Sequence, residues 1–143
     1  LKASNTNGFA VGPQGVLPGD QFGTSVAISG DTAVIGAPGE ASNASGVNGD
    51  QSNNSAASAG AAYVFVRAAG QWAQQAYLKA SNAEANDIFG VSVSIAGNTV
   101  AVGAPGEASS ATTVNGNQAD NSAPNSGAGY IFVRSGSTWA QQA

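Results

Sequence analysis

The sequence predicts an all-β fold made of two four-stranded antiparallel units, each resembling one blade of a β-propeller. The first observation is a gapless internal repeat, in which residues 22–76 align with residues 89–143 at a constant offset of 67 with 33 identities. The second is the pattern inside each unit, where four short strand-like segments are separated by turns rich in glycine. Four short strands per period, with recurring glycine and aromatic residues, are typical of a propeller blade.

Each segment of the first unit has its own strand signature. Residues 23–29 alternate small polar or alanine residues with Val26 and Ile28, as in a half-buried strand. Residues 32–37 form a nearly continuous apolar run, which favours an inner strand covered on both faces. Residues 61–67 are rich in aromatic and β-branched types, and residues 72–80 follow a small turn as the fourth strand.

The repeat divides the chain into two predicted blades. Residues 1–76 form the first blade, with an N-terminal half-strand and an inserted loop at residues 5–20. Residues 77–143 form the second blade, whose outer strand is incomplete at the C-terminus. Residues 1–4 repeat residues 78–81, which continue the outer strand of the first blade. Because two blades cannot close a propeller, we expect either further blades of a longer parent chain or head-to-tail contacts between identical chains, in a ring or a filament.

Composition excludes several classes of function. Only 8% of the residues are charged, and the four basic residues are scattered singly, so the chain lacks the basic face that nucleic-acid binding requires. The longest apolar stretch has the length of a strand, which predicts no membrane span. Cysteine and histidine are absent, which excludes disulfides and metal sites built on either residue.

A long polar loop between the second and third strands of each unit contains candidate calcium ligands. Calcium prefers six to eight oxygen ligands with several carboxylates, whereas each of these loops holds one aspartate and is flanked by one glutamate. The alternative is a loop held by Asn, Asp and Gly turns and by side-chain to backbone hydrogen bonds. Calcium is the one cofactor that the loops suggest, and its candidate ligands are Glu40, Asn48, Asp50, Glu107, Asn115, Asn117 and Asp120.

Aromatic residues recur in register in the two units. Phe22 matches Phe89, and Trp72 matches Trp139. This pattern favours packing between blades over an aromatic platform for sugars.

Two further features lie before the first strand of the units. Asp20 and Asp87 stand two residues before the repeated phenylalanines, where Asx-turn chemistry favours capping of the turn over metal ligation. The inserted loop makes the lead-in of the first unit ten residues longer and is predicted to contact a neighbouring subunit or to form a binding protrusion. Its apolar residues are Phe9, Val11, Val16 and Leu17.

The sequence predicts that the chain is not an enzyme. Acid–base catalysis by two carboxylates requires different environments for the two acids, whereas Glu40 and Glu107 are repeat-equivalent and are expected to have similar surroundings. A serine nucleophile would have no histidine base, and the two lysines also occupy matched positions.

Three markers in order, present twice, resemble the FG-GAP repeat. They are Phe22-Gly23 with Phe89-Gly90, Gly36-Ala37-Pro38 with Gly103-Ala104-Pro105, and Tyr63 with Tyr130. The resemblance covers both units and implies a seven-bladed or similar propeller in integrin-like surface proteins or secreted bacterial proteins, sometimes with calcium in blade loops.

The resemblance also implies a class of function. We expect a non-enzymatic, extracellular or cell-surface structural or adhesive module, whose partners are further blades, copies of itself, or an extracellular protein or glycan ligand. The alternative is a calcium-dependent small-ligand or carbohydrate-binding module of lectin type.

Overall fold

A computed structural model describes the backbone of residues 1–8, 10–12, 15–17 and 19–143, with the side chains of residues 1–8 and 19–143. All regular secondary structure in these ranges is β. The strands are β1 (Ala10–Gly12), β2 (Gly15–Leu17), β3 (Ser25–Ser29), β4 (Thr32–Ala37), β5 (Ala61–Ala68), β6 (Gln71–Leu78), β7 (Ser92–Ala96), β8 (Thr99–Ala104), β9 (Ala128–Ser135) and β10 (Thr138–Gln141). No helix in the described ranges is long and apolar enough to span a membrane.

The strands form two four-stranded antiparallel sheets and one small hairpin. The first sheet has the order β3-β4-β5-β6, and the second has the equivalent order β7-β8-β9-β10. The predicted all-β fold of two four-stranded units is therefore confirmed, and the two sheets do not close into a ring. β1 and β2 pair within the inserted loop, with Val11 opposite Val16.

The two sheets stack face to face around the larger of two apolar cores. The front face of the second sheet presents Val100, Val102, Phe132 and other buried residues to the back face of the first sheet, which presents Val34 and Val64. β7 packs against both β3 and β4. The front face of each sheet is the side that carries the repeated phenylalanine, and the back face is the opposite side.

The burial of the inner strands follows from this stacking. β4 is buried along its whole length, as its apolar run predicts, because the second sheet covers its back face and a second core covers its front face. β8 has the repeat-equivalent sequence but alternates between buried and accessible positions, because only its front face packs against the other sheet. The second core lies on the front face of the first sheet and includes Ile35, Tyr63 and Phe65.

The outer strand of the first sheet contains a β-bulge at Gln75. Ala76 pairs with Val64 and Gln74 pairs with Phe65, so that Gln75 is an extra residue in β6. A bulge redirects the side chain of the extra residue, and Gln75 is redirected toward the second sheet. β6 ends at Leu78, and residues 1–4, which repeat residues 78–81, lie outside the strands of this chain.

Candidate functional site

The contact between the two sheets is centred on the repeated Phe-Gly corner. Phe89 is fully buried and makes edge-on contacts with Tyr130 and Phe132, with ring centroids 5.5 and 6.1 Å apart. Such geometry adds to the stabilisation from the buried area. The predicted packing of Phe89 between blades is confirmed.

Hydrogen bonds to main-chain carbonyls on both sides of this corner hold the sheets together. The amide of Phe89 donates to the carbonyl of Ala59 at 3.1 Å, and the hydroxyl of Ser25 donates to the carbonyl of Gly90 at 2.8 Å. A Cβ atom added at Gly60 would overlap the main chain of Phe89, so this approach requires glycine.

The outer strands are joined by a polar cluster that involves the bulge. The indole nitrogen of Trp139 donates to Gln75 Oε1 at 2.9 Å, and Arg134 Nη1 donates to Thr32 Oγ1 at 3.0 Å. The guanidinium of Arg134 also lies 5.3 Å from the centre of the Trp139 ring, within range of a cation–π interaction. Trp139 therefore serves as a packing residue between the sheets.

The two outer sides of the stacked sheets are again one front face and one back face. The front face of the first sheet leaves Val26 and Ile28 exposed by 68% and 66%, although the repeat-equivalent Val93 and Ile95 pack against the core between the sheets. The back face of the second sheet contains a groove of about 310 Å³, and Ile131 is among its lining residues. The stacked pair thus presents the front face at one end and the back face at the other.

A buried ion pair joins the long loop of the first sheet to the end of β6. Lys79 Nζ lies 3.0 Å from Glu40 Oε2, and both side chains are fully buried. Lys79 also donates to the carbonyl of Ser42 at 2.8 Å, and the hydroxyl of Tyr77 donates to Glu40 Oε2 at 2.8 Å. Asn5 Nδ2 donates to the other carboxylate oxygen at 3.1 Å. Burial lowers the pKa of Lys79, and the adjacent Glu40 carboxylate opposes this shift.

The second sheet repeats only part of this arrangement. Glu107 is buried and accepts hydrogen bonds from Asn82 Nδ2 at 3.0 Å and from the amide of Ser109 at 3.0 Å. Among the described residues, no lysine or arginine lies within salt-bridge distance of Glu107. Among the described residues, Glu40 and Glu107 therefore differ in their charged neighbours, because Lys79 lies beside Glu40 and the position that matches Lys79 at the offset of 67 falls after Ala143.

Glu107 borders an open cleft of about 450 Å³. The lining includes Ser109, Val114, Asn115 and the last residue of the chain, Ala143. Val114 is 82% exposed, whereas its repeat-equivalent Val47 pairs with Leu78 and packs against the core. In the first sheet, the corresponding position is filled by the end of β6 and by Lys79, which contact the long loop.

The predicted calcium ligands of the first loop are engaged in protein contacts. Asp50 Oδ1 accepts hydrogen bonds from the amide and the hydroxyl of Ser52 at 2.9 and 2.7 Å, and these bonds lower the pKa of Asp50. Asn48 Oδ1 accepts from the amide of Tyr77 at 2.9 Å. Glu40 belongs to the buried ion pair.

The predicted ligands of the second loop are engaged in a comparable way. Asp120 accepts from Ser110 Oγ and from the amide of Ser122, and these bonds lower its pKa. Asn117 Oδ1 accepts from the amide of Ala119 at 3.1 Å. Asn115 Nδ2 donates to the carbonyl of Gln142 at 3.2 Å.

The oxygen atoms of these candidate ligands do not fit a calcium site. Calcium requires several oxygen ligands around one point. Among the described residues, no three or more acidic side chains lie close enough together to hold a metal ion. The loop oxygens instead stabilise turns and hold the loops against the outer strands.

Asp20 and Asp87 cap the segments that lead into β3 and β7. Asp20 Oδ2 accepts from the amide of Asn7 at 2.6 Å, and Asp87 Oδ2 accepts from the amide of Glu84 at 2.7 Å. Both side chains are nearly buried, and desolvation raises the pKa of each carboxyl, while the amide hydrogen bond opposes that shift. Asp87 thus caps a local turn, as the sequence favours, whereas Asp20 joins the two ends of the inserted loop through Asn7, 13 residues earlier in the sequence.

Asp87→Asn tests the raised pKa. The ordinary value for aspartate is 3.8, and a higher pKa in the folded protein means that folding binds protons in the pH range between the two values. As pH falls from 7 toward 4, the wild type should therefore gain stability relative to Asp87→Asn, as measured by urea unfolding. Asp50→Asn is the control, because the pKa of Asp50 is lowered from 3.8, so the wild type should lose stability relative to this variant only below that pH and change little between pH 7 and 4. A stability difference for Asp87→Asn that does not change with pH would contradict the role of desolvation.

The predicted contact of the inserted loop with a subunit rests on residues whose side chains lie outside the described part of the chain. Phe9 itself is outside the described residues, and only the backbone is described for Val11, Val16 and Leu17.

The geometry above agrees with a comparison against protein-family models. The FG-GAP repeat model matches residues 13–65 and 72–132, which together cover most of the chain and one unit each. The chain is thus built from propeller-type blades and belongs to the FG-GAP repeat family. A search of curated proteins gives no match.

Proposed function

We propose that this chain is a non-enzymatic structural or adhesive module of extracellular or cell-surface proteins that associates head to tail with copies of itself. In this function the two sheets act as propeller blades. The associated copies form a ring or a filament. This function assigns no catalytic step to any side chain.

The observation that carries the proposal is the surface left open at the two ends of the stack, at β3 of the first sheet and at the groove of the second sheet. The front face of the first sheet exposes Val26 and Ile28, and the back face of the second sheet carries the groove beside Ile131. The same two kinds of face are already joined inside the chain, where they enclose the apolar core. A contact of one front face with one back face is heterologous, so it propagates into a ring or a filament.

Native mass spectrometry of the purified chain over a range of concentrations tests this function. A discrete trimer or tetramer would support a ring of six or eight blades, because each copy contributes two and known propellers have four to eight or more. Large indefinite species would support a filament. A monomer at every concentration would contradict the self-association.

The same measurement in calcium and then in chelator separates this proposal from a calcium-dependent lectin. We expect equal masses in both conditions, because the loop oxygens are engaged in protein hydrogen bonds. A mass that changes on chelation would favour the calcium-dependent function.

A further inference from the structure

We propose that Lys79 forms an intramolecular amide bond with the side chain of Asn5, and that the buried Glu40 transfers the protons of this reaction. The three side chains come from three segments of the first unit, namely the lead-in, the start of the long loop and the residue that follows β6. The link is a modification within one chain, so it is independent of any association between copies.

Lys79 has the surroundings of a buried nucleophile. Its side chain is fully buried, with Nζ 3.0 Å from Glu40 Oε2. Burial lowers the pKa of Lys79 and so favours the neutral amine, while the adjacent carboxylate opposes this shift. A lysine attacks a carbonyl carbon as the neutral amine, and desolvation is one of the ways in which proteins activate it. Lys79 therefore meets the first requirement of amide formation.

Asn5 presents a side-chain amide whose two polar atoms are both held. Asn5 Oδ1 accepts a hydrogen bond from the hydroxyl of Tyr63 at 2.6 Å, and Asn5 Nδ2 donates to Glu40 Oε1 at 3.1 Å. A fixed donor at the carbonyl oxygen stabilises the negative charge that develops there when an amine attacks. Burial raises the pKa of Tyr63, so the hydroxyl keeps its proton and remains a donor.

Glu40 connects the two reacting groups. One of its carboxylate oxygens contacts Lys79 Nζ, and the other contacts Asn5 Nδ2. The amine that would attack and the nitrogen that would leave are thus both bound to one carboxylate. A group that transfers protons must lie within hydrogen-bond reach of the atoms that lose and gain them, and Glu40 satisfies this condition at both nitrogens.

The reaction balances without any further reagent. The ion pair is the state before the reaction, in which Glu40 accepts a proton from the ammonium group of Lys79. The neutral Nζ attacks Cγ of Asn5, a bond forms between Nζ and Cγ, and the bond between Cγ and Nδ2 breaks. Nζ loses two protons through Glu40, and Nδ2 takes up both and leaves as ammonium. No atom is oxidised or reduced, and the carboxylate is regenerated.

The second unit provides a matched control position. Tyr130 donates to Asn82 Oδ1 at 2.7 Å, and Asn82 Nδ2 donates to Glu107 Oε1 at 3.0 Å, so this amide is held in the same way as that of Asn5. Neither ion pair of the described residues includes Glu107. Asn82 therefore has the tyrosine and the glutamate of the arrangement without a lysine beside them in this chain.

Intact mass spectrometry of the purified chain, before and after incubation at neutral pH, tests the inference. Formation of the link lowers the mass of the chain by one ammonia molecule, and we expect the lighter species to accumulate with time. After digestion with trypsin, tandem mass spectrometry should find a branched peptide that joins residues 5 and 79. Trypsin should not cleave after the linked Lys79, because its side chain no longer carries a charge.

Four variants assign the loss of ammonia to this site. Asn5→Ala and Lys79→Met remove one reacting group each, and Glu40→Gln removes the group that transfers the protons, so all three should keep the mass of their own sequences. Asn82→Ala removes the equivalent amide of the second unit and should form the link as the wild type does. Circular dichroism checks that each variant retains its β structure, and Asn5→Ala carries the test if a variant of the buried pair does not fold.

The outcomes separate the link from other chemistry. Loss of one ammonia in the wild type and in Asn82→Ala, together with its absence in Asn5→Ala, would support the inference. A folded wild type that keeps the mass of its sequence throughout the incubation would overturn it. The same loss in Asn5→Ala would also overturn it, because backbone cyclisation at an Asn-Gly pair such as Asn48-Gly49 releases ammonia as well. Each of these outcomes leaves the proposed function standing.

Discussion

Replacing Lys79 with methionine is expected to lower the free energy of unfolding by about 3–5 kcal/mol, because it leaves the buried Glu40 carboxylate without its cation. Both side chains of the pair are fully buried, with Nζ and Oε2 3.0 Å apart. Methionine fills much of the volume of lysine, so the loss reports the charge more than a cavity. Equilibrium unfolding in urea, followed by circular dichroism, measures the change.

The double variant Glu40→Gln with Lys79→Met is the matched control. It removes both charges, and a well-packed neutral replacement of a buried pair is often far less destabilising than the loss of one partner. We expect the double variant to be more stable than Lys79→Met alone, and the measurement of Glu40→Gln alone completes the cycle that gives the coupling free energy between the two positions. Additive effects of the two substitutions would show that the pair does not act as a unit.

The strands and their order could be predicted from the sequence because they depend on local patterns. The alternation in residues 23–29 and the apolar run in residues 32–37 correspond to β3 and β4 with small differences at the ends. The packing of Phe89 and Trp139 between the sheets was also predicted from the repeat, whereas the equivalent Phe22 and Trp72 pack against the second core on the outer side of the first sheet.

The buried ion pair was not predicted, because it joins residues 39 positions apart in sequence. A signal was present in the segment Leu78-Lys79-Ala80, where a lysine between two apolar residues continues a strand. A lysine in such a position is buried only with a partner, and the carboxylates at the start of the long loops were the available candidates.

The calcium hypothesis arose from the composition of the long loops and from the family resemblance. Asn, Asp and Gly occur both in calcium loops and in turns held by side-chain to backbone bonds, and sequence does not distinguish the two uses. The hydrogen bonds of Asp50 with Ser52 are of the second kind.

Replacing Gly60 with alanine is expected to separate the two sheets and to lower the free energy of unfolding by about 2–5 kcal/mol. One part of the loss is the positive φ of 81°, which side chains with a Cβ atom rarely adopt. The larger part is the overlap of the new Cβ atom with the main chain of Phe89, which cannot shift without breaking its hydrogen bond to Ala59.

Gly127→Ala is the matched control, because it isolates the contribution of the contact between sheets. Gly127 is the repeat-equivalent glycine with a similar φ of 77°, but the nearest atom to its added Cβ is Pro105 Cα at 3.5 Å. We therefore expect this variant to lose only about 1–2 kcal/mol, the cost of the left-handed conformation. Both variants are compared by urea unfolding at a concentration where native mass spectrometry finds monomers. Equal losses would mean that the approach of Phe89 to Gly60 does not limit the stacking of the sheets.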